Sequence, residues 1–149
     1  MAVAIKSDDL QQDSLQLSPV FERLPDSAEN TPGPQRFRTS IRISGTSAPP
    51  DSFRFQAHIL DQENEIGEEA YVVRKLTTME EQRGGTAILV TPDQTIYNTQ
   101  FTEDGEAAGT IVVNEVRDQV IRGELKAVKL STGFYTLTLS GTFRAVKAE

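Results

Sequence analysis

Residues 134–144 read Phe134-Tyr135-Thr136-Leu137-Thr138-Leu139-Ser140-Gly141-Thr142-Phe143-Arg144, and apolar side chains alternate there with small polar ones. Successive side chains of a β-strand point to opposite faces of its sheet. One face therefore carries Tyr135, Leu137, Leu139, Gly141 and Phe143. The other face carries polar residues that suit contact with water. A strand with one buried and one wet face is typical of an antiparallel sheet, so this stretch predicts an all-β fold.

Seven further stretches alternate in the same way, and turn residues separate them. The eight predicted strands span 36–44, 52–60, 70–76, 86–91, 95–102, 110–116, 119–130 and 134–146. Consecutive strands are usually neighbours, so we expect an antiparallel meander. Its edges must still be protected, either by closure into a barrel or by packing as two sheets. We favour the closed barrel and keep the two-sheet sandwich as the alternative.

The chain divides by composition into an arm, 1–35, and an all-β domain, 36–149. The arm contains two basic and six acidic residues, and its apolar residues show no sustained period. Proline at position 25 and the run Asn-Thr-Pro-Gly-Pro at 30–34 interrupt regular structure. We therefore expect a mostly irregular acidic arm that packs on the domain through Val20, Phe21 and Leu24, with disorder as the open alternative.

Composition excludes several classes of protein. The 149 residues include no cysteine, which excludes disulfides, cysteine-based zinc sites and thiol catalysis. The formal charge of −7 argues against a nucleic acid or an anionic membrane as partner. No stretch approaches the roughly 20 apolar residues of a membrane span. The amino-terminal residues lack the features of a signal peptide, so we expect a cytoplasmic protein, or an exported one whose signal peptide has been removed.

The last two predicted strands form a hairpin if Ser131-Thr132-Gly133 is its loop, with glycine at the left-handed position. This register places Lys129 opposite Tyr135 and Gly123 opposite Gly141. Two facing glycines on a buried face leave a gap. The gap is either a ligand site, with Lys129 and Tyr135 as polar contacts, or is filled by a large side chain such as Phe101 or Phe55. Because interiors tolerate few voids, we favour filling.

The first two predicted strands form a hairpin in which Ser44 opposes Ser52. Arg42 then faces Arg54, and Arg38 faces His58, so the wet face carries a basic stripe. Like charges directly opposed across strands are unfavourable by about 0.2–1 kcal/mol. An acidic residue on a neighbouring strand or in the acidic arm would offset them, and so would an anionic ligand. The sequence therefore predicts Arg38, Arg42, Arg54 and His58 as candidate binding residues.

The sequence contains only weak signals of a metal site or a catalytic site. The acidic run 61–69 resembles a calcium loop, but its glycine stands at the seventh position and glutamates stand where aspartate or asparagine is usual. We interpret it as a solvated loop and expect no metal or other cofactor. With no cysteine, nucleophilic triads depend on the one histidine, His58, which the alternation places on the outer face. We therefore predict no catalytic residues, and enzymatic activity is the less favoured reading.

The sequence supports a non-catalytic binding or interaction module whose partner is an unknown protein or small molecule. The alternative is a β-barrel carrier or enzyme that holds a small apolar ligand in the barrel interior. Pairing of two copies through an edge strand is a third hypothesis. Neither a nucleic acid nor a membrane span is expected.

Overall fold

The structure, a computed structural model, describes residues 1–7, 10, 13–24, 39–47, 52–61, 64–74, 83–99 and 107–148. Within these ranges the regular structure is β-strand, with no α-helix. The eleven strands are β1 (Ala2–Ser7), β2 (Ser14–Gln16), β3 (Ser18–Leu24), β4 (Thr39–Thr46), β5 (Arg54–Asp61), β6 (Ala70–Val72), β7 (Arg83–Val90), β8 (Ile96–Asn98), β9 (Thr110–Val116), β10 (Val120–Ser131) and β11 (Thr136–Lys147). Strands β4–β11 correspond to the eight predicted strands, so the all-β prediction is confirmed.

The strands belong to one sheet with the order β2-β1-β11-β3-β4-β5-β7-β8-β10-β9-β6, and β10 also pairs with β11. The run from β11 through β3, β4, β5, β7, β8 and β10 therefore returns to β11, and the hydrogen bonding closes into a ring. The strand pairings are antiparallel except for β11 with β3. The sequence favours a barrel over two packed sheets. That the ring is a barrel stays a prediction.

The residues that the alternation predicts to face inward form the core. On β11, Leu137, Leu139 and Phe143 are buried, as their shared face predicts. On β5, Phe55 and Ile59 are buried while polar residues between them face outward. Full burial of one large apolar side chain stabilises the fold by about 1.5–3 kcal/mol. Buried side chains from all parts of the ring form one hydrophobic cluster. The strands that carry these side chains also present the residues of the outer face.

The amino-terminal region differs from the expected irregular arm. Residues 2–7, 14–16 and 18–24 are β1, β2 and β3, and β1 pairs along β11 with Val3 opposite Gly141. Phe21 packs in the core as expected, whereas Val20 is exposed. The apolar residues of this region show no sustained period along the sequence, and pairing with the rest of the sheet places these segments in strands. Residues 25–35 of the predicted arm lie outside the described residues.

The predicted register of the last hairpin is wrong. Its loop is 132–135, and near the loop Lys129 pairs with Thr138. The register then shifts between Leu125 and Val128, where Ala127 has a left-handed φ of 49°. A β-bulge of this kind adds one residue to one strand and changes the phase of its alternation.

We call the side of the bulge away from the loop 132–135 the part below the bulge. There, Gly123 faces Phe143 and Leu125 faces Gly141. The two glycines are therefore not opposite each other, contrary to the sequence prediction.

The predicted register of the first hairpin is also wrong, but its faces are correct. Arg42 pairs with His58, while Arg54 lies opposite Thr46. The strands slide by an even number of positions relative to the prediction, so each residue keeps its side of the sheet. The backbones of Ser47 and Phe53 meet across the connection, with 3.0 Å from the Ser47 nitrogen to the Phe53 oxygen. Arg38 lies outside the described residues.

Candidate functional site

A surface groove of about 710 Å³ lies against β10, β11 and their neighbours β9 and β1. Its charged lining residues are Arg122, Arg144 and Glu115, and its small lining residues include Ala2 and Gly123. We call it the arginine groove. Below the bulge, β10 and β11 bring Arg122 directly opposite Arg144. On the other side of β10, Glu115 of β9 lies opposite Arg122.

The arginine groove carries more positive than negative charge. The Nε of Arg122 lies 3.5 Å from Glu115 Oε2, and the other oxygen of the same carboxylate forms an ion pair with Arg117. Within the described part of the chain, Arg144 forms no ion pair. One carboxylate is thus shared by two guanidinium groups, and a third guanidinium faces one of them. This excess is local, because the whole chain has a net charge of −7.

Gly123 is required by close packing on both sides of it. An ideal Cβ at this position would lie 2.2 Å from the Val112 carbonyl oxygen and 2.6 Å from Phe143 Cζ. The ring of Phe143 therefore occupies the space that the missing side chain leaves. At Gly141, a Cβ would lie 2.3 Å from the Ala2 carbonyl oxygen of β1. Both glycines allow close approach of neighbouring strands.

The predicted basic stripe is only partly brought together. Glu22, Arg42 and His58 form a row across β3, β4 and β5, and Arg42 forms an ion pair with Glu22. Glu22 comes from the acidic region 1–35, one of the sources of compensation that the sequence suggested. Arg54 lies farther along β5, where it donates a hydrogen bond to Gln94 Oε1 over 3.0 Å.

The environment of His58 disfavours its protonated form. Burial lowers the pKa of His58 from its ordinary value, and the neighbouring Arg42 lowers it further. Glu22 acts in the opposite direction, since its charge raises the pKa of His58. Neutral His58 beside an ion-paired arginine is a feature of the β3–β5 face and lies apart from the arginine groove.

Two other predicted binding residues lie near the loop of the last hairpin. Lys129 is exposed on β10, and Tyr135 belongs to the loop itself, with 58% of its surface exposed. The prediction that Tyr135 shares the buried face of β11 is wrong, because β11 begins after it, at Thr136. Neither residue lines the arginine groove.

Sequence reasoning missed the facing of Arg122 and Arg144. The signal lies in β10 itself, where buried positions change from odd to even numbers between Leu125 and Val128. A change of phase within one strand indicates a bulge, and a bulge at this place brings Arg122 opposite Arg144.

The described residues of the acidic run do not gather as the ligands of a calcium loop would. Asp61 is buried, and its Oδ1 accepts a hydrogen bond from the Asn64 backbone over 2.8 Å. Glu69 instead forms a 2.8 Å ion pair with Arg83, whose guanidinium lies over the ring of Tyr71. Among the described residues, no group of three acidic or histidine side chains is placed to hold a metal ion. Glu63, a member of the predicted run, lies outside the described residues.

Comparisons with protein-family models, curated proteins and solved structures gave no match for this chain. In the part of the chain that the structure describes, no helix has the length and apolar character needed to cross a membrane. A functional hypothesis therefore depends on the chemistry of the chain's own surface.

Proposed function

We propose that this protein is a non-catalytic binding module that holds an anionic group of its partner in the arginine groove. The observation that carries the proposal is the direct facing of Arg122 and Arg144 with no ion pair for Arg144 within the described residues. Like charges in this position are unfavourable by about 0.2–1 kcal/mol. An anion bound between them would convert that repulsion into attraction.

The chemistry and size of the arginine groove support this function. Guanidinium groups bind carboxylate and phosphate through paired hydrogen bonds, which favours an acidic ligand. The volume of about 710 Å³ lies within the roughly 300–1,000 Å³ typical of ligand sites. The net negative charge of the chain does not prevent binding, because at physiological ionic strength charges are screened beyond about 8 Å.

The absence of histidine from the groove lining favours binding over catalysis. The one histidine of the chain, His58, lies on β5 between β4 and β7 and is not a groove residue. A serine or threonine nucleophile at the groove would therefore lack the usual base.

The alternative function, a carrier or enzyme for a small apolar ligand inside the ring, has less support. The sequence suggested this function because a gap was predicted between Gly123 and Gly141. In the structure these two residues are not paired. Phe143 packs against Gly123 from the inner face, and Leu125 faces Gly141. Close packing is thus found at both glycines, where the sequence suggested a gap for an interior ligand.

The test is a titration of isotopically labelled protein with pyrophosphate and, separately, with citrate, followed by NMR. We expect the largest shifts at Arg122 and Arg144. The double substitution Arg122→Gln and Arg144→Gln should weaken binding about tenfold, because it removes charge-assisted hydrogen bonds. Arg54→Gln is the matched control, since Arg54 is an exposed arginine on another face and should leave the affinity unchanged.

Two results would contradict the proposal. One is unchanged binding of both anions by the double variant, and the other is an equal loss in the Arg54→Gln control. Affinity should also fall as salt is added, because the attraction is electrostatic and partly exposed.

A further inference from the structure

The outer face of β11 connects the arginine groove to a second group of cations. Thr138 lies on this strand between Arg144 and the loop 132–135. Lys6 of β1 pairs with Thr138 on one side, and Lys129 of β10 pairs with it on the other. Both lysines are exposed, and within the described residues neither forms an ion pair. We call Lys6 and Lys129 the lysine pair.

The lysine pair and the arginine groove lie on the same side of the sheet. Leu139 and Phe143 are buried, so the side chains at even-numbered positions of this part of β11 face outward. Between the two groups of cations this face carries the hydroxyl groups of Thr138, Ser140 and Thr142. A strand rises about 3.3 Å per residue, so the six residues from Thr138 to Arg144 separate the two groups by about 20 Å.

One acidic residue lies beside the middle of this face. Glu124 of β10 pairs with Thr142, and its Oε2 lies 4.0 Å from Lys126 Nζ. Lys126 therefore compensates the carboxylate at a distance, and no excess of positive charge remains there. The outer face of β11 attracts anions at its two ends and not in its middle.

We propose that the partner is an extended peptide segment of another protein with two acidic side chains six residues apart. One acidic side chain binds in the arginine groove, and the other binds between Lys6 and Lys129. This partner class rests on the anion-binding function proposed above. An extended peptide has the same rise per residue as β11, so its residues i and i+6 share one face and also lie about 20 Å apart.

The charge pattern favours a peptide over a nucleic acid. A nucleic acid strand carries a phosphate about every 3.4 Å, so its phosphates would also meet Glu124 and the rest of a chain whose net charge is −7. A peptide can be neutral between its two acidic residues. Surfaces that bind single strands also stack bases on aromatic rings, whereas the middle of this face is serine and threonine. Their hydroxyl groups can donate to peptide carbonyls and accept from peptide amides.

The first experiment is an NMR titration of the full chain with two synthetic peptides of seven residues. Both have blocked termini and serine at the other positions. The wide peptide carries aspartate at its first and seventh residues, and the narrow peptide carries it at its first and third. We expect the wide peptide to bind with a Kd on the order of 0.1–1 mM and about tenfold more tightly than the narrow peptide. Equal affinity for the two peptides would overturn the proposal.

The second experiment removes the lysine pair. Lys6→Gln and Lys129→Gln should each weaken binding of the wide peptide about threefold, because single exposed ion pairs contribute little, and the double variant should weaken it about tenfold. Arg54→Gln is the matched control for each single variant, since it removes one exposed cation from another face and should leave the affinity unchanged. All three side chains are exposed, so the variants should fold, which thermal unfolding checks.

Pyrophosphate separates this proposal from the function on which it rests. It is too short to span about 20 Å, so the lysine double variant should bind it at Arg122 and Arg144 as the wild type does. Unchanged binding of the wide peptide by that variant would overturn the extended partner and leave the groove function intact. A wild type that binds no pyrophosphate would contradict the groove function itself. Tighter binding of a thymidine decanucleotide than of the wide peptide would also overturn the proposal, because it would assign this face to a nucleic acid.

Discussion

The first and last hairpins of the ring both alternate apolar and polar residues and both carry arginines on the outer face. Their charges are nevertheless arranged differently. On β4 and β5 the pairing is regular, and Arg42 lies between the carboxylate of Glu22 and the neutral ring of His58. On β10 and β11 a bulge shifts the pairing, and Arg122 faces Arg144. The first arrangement satisfies its arginine inside the protein. The second leaves Arg144 without an ion pair among the described residues.

One inserted residue can decide the chemistry of a sheet surface. Above the bulge, residue numbers of paired partners in β10 and β11 differ in parity, and below it they agree. Without the extra residue at Ala127, Arg122 would lie opposite Ala145 and on the wrong face. The bulge therefore keeps the core residues inward and aligns the two arginines.

The largest effect is expected at Gly123, which lies between the arginine groove and the ring of Phe143. Gly123→Ala should lower the free energy of unfolding by about 3 kcal/mol, because the added methyl group meets a backbone oxygen and an aromatic ring that cannot both move away. Urea denaturation measures the change. Gly67→Ala is the control, since a Cβ there meets no atom within 4 Å. Equal stability of the two variants would contradict the packing described for the last hairpin.

An intermediate effect, of opposite sign in the two hairpins, is expected when arginine is replaced by glutamate. Arg144→Glu should raise the free energy of unfolding by about 0.2–1 kcal/mol, because it replaces repulsion from Arg122 by attraction. Arg42→Glu should lower it by a similar amount, since the new carboxylate faces Glu22. Denaturation of both variants in one buffer measures the difference. Changes of the same sign would remove the distinction between the hairpins, and high salt should reduce both.

The smallest effect concerns His58, whose NMR signals are unique because the chain contains one histidine. Its pKa should lie below 6.5 in the folded protein. Arg42→Gln should raise the pKa of His58, and Glu22→Gln should lower it, because each removes one of the neighbouring charges. A pH titration of the imidazole signals measures all three values. The opposite order would show that these charges do not act on His58.

The same pKa shift predicts how stability depends on pH. Since the unfolded chain binds a proton at His58 more readily than the folded chain, the contribution of neutral His58 is fully present above pH 6.5. It is lost as the pH falls from 6.5 toward the lowered pKa of the folded state. His58→Gln should flatten this part of the stability curve.

Period-two alternation was sufficient to predict the all-β class, the eight strands β4–β11 and most buried faces, because it is a local property of the chain. Register was not predictable in the same way. It depends on connection length and on the bulge at Ala127, and the assumed loop 131–133 was too early by one residue at its start and two at its end. The strands β1–β3 were missed because the apolar residues of this region show no sustained period, and because β1 and β3 each pair with β11 at the other end of the described sequence.

For the predicted binding residues of the first hairpin, the sequence predicted the face of each residue but not its partner, and the arginine groove itself was not predicted. Arg42 and His58 were assigned to the correct outer face, and the need for a compensating acidic group was correct for Arg42. The partner of each residue was not predicted, because sliding by an even number of residues preserves faces but changes neighbours. For the same reason Arg122 and Arg144 were not recognised as a pair.

Strand β11 joins segments from both ends of the described sequence. It pairs with β10 beside it in the chain, but also with β1 and β3 from the other end of the described sequence. Contacts between segments so distant in sequence must overcome a large loop-closure entropy, which slows folding. The hairpins can therefore form before the ring does, and until β11 meets β1 and β3 the edges of all three strands are open to pairing with other chains.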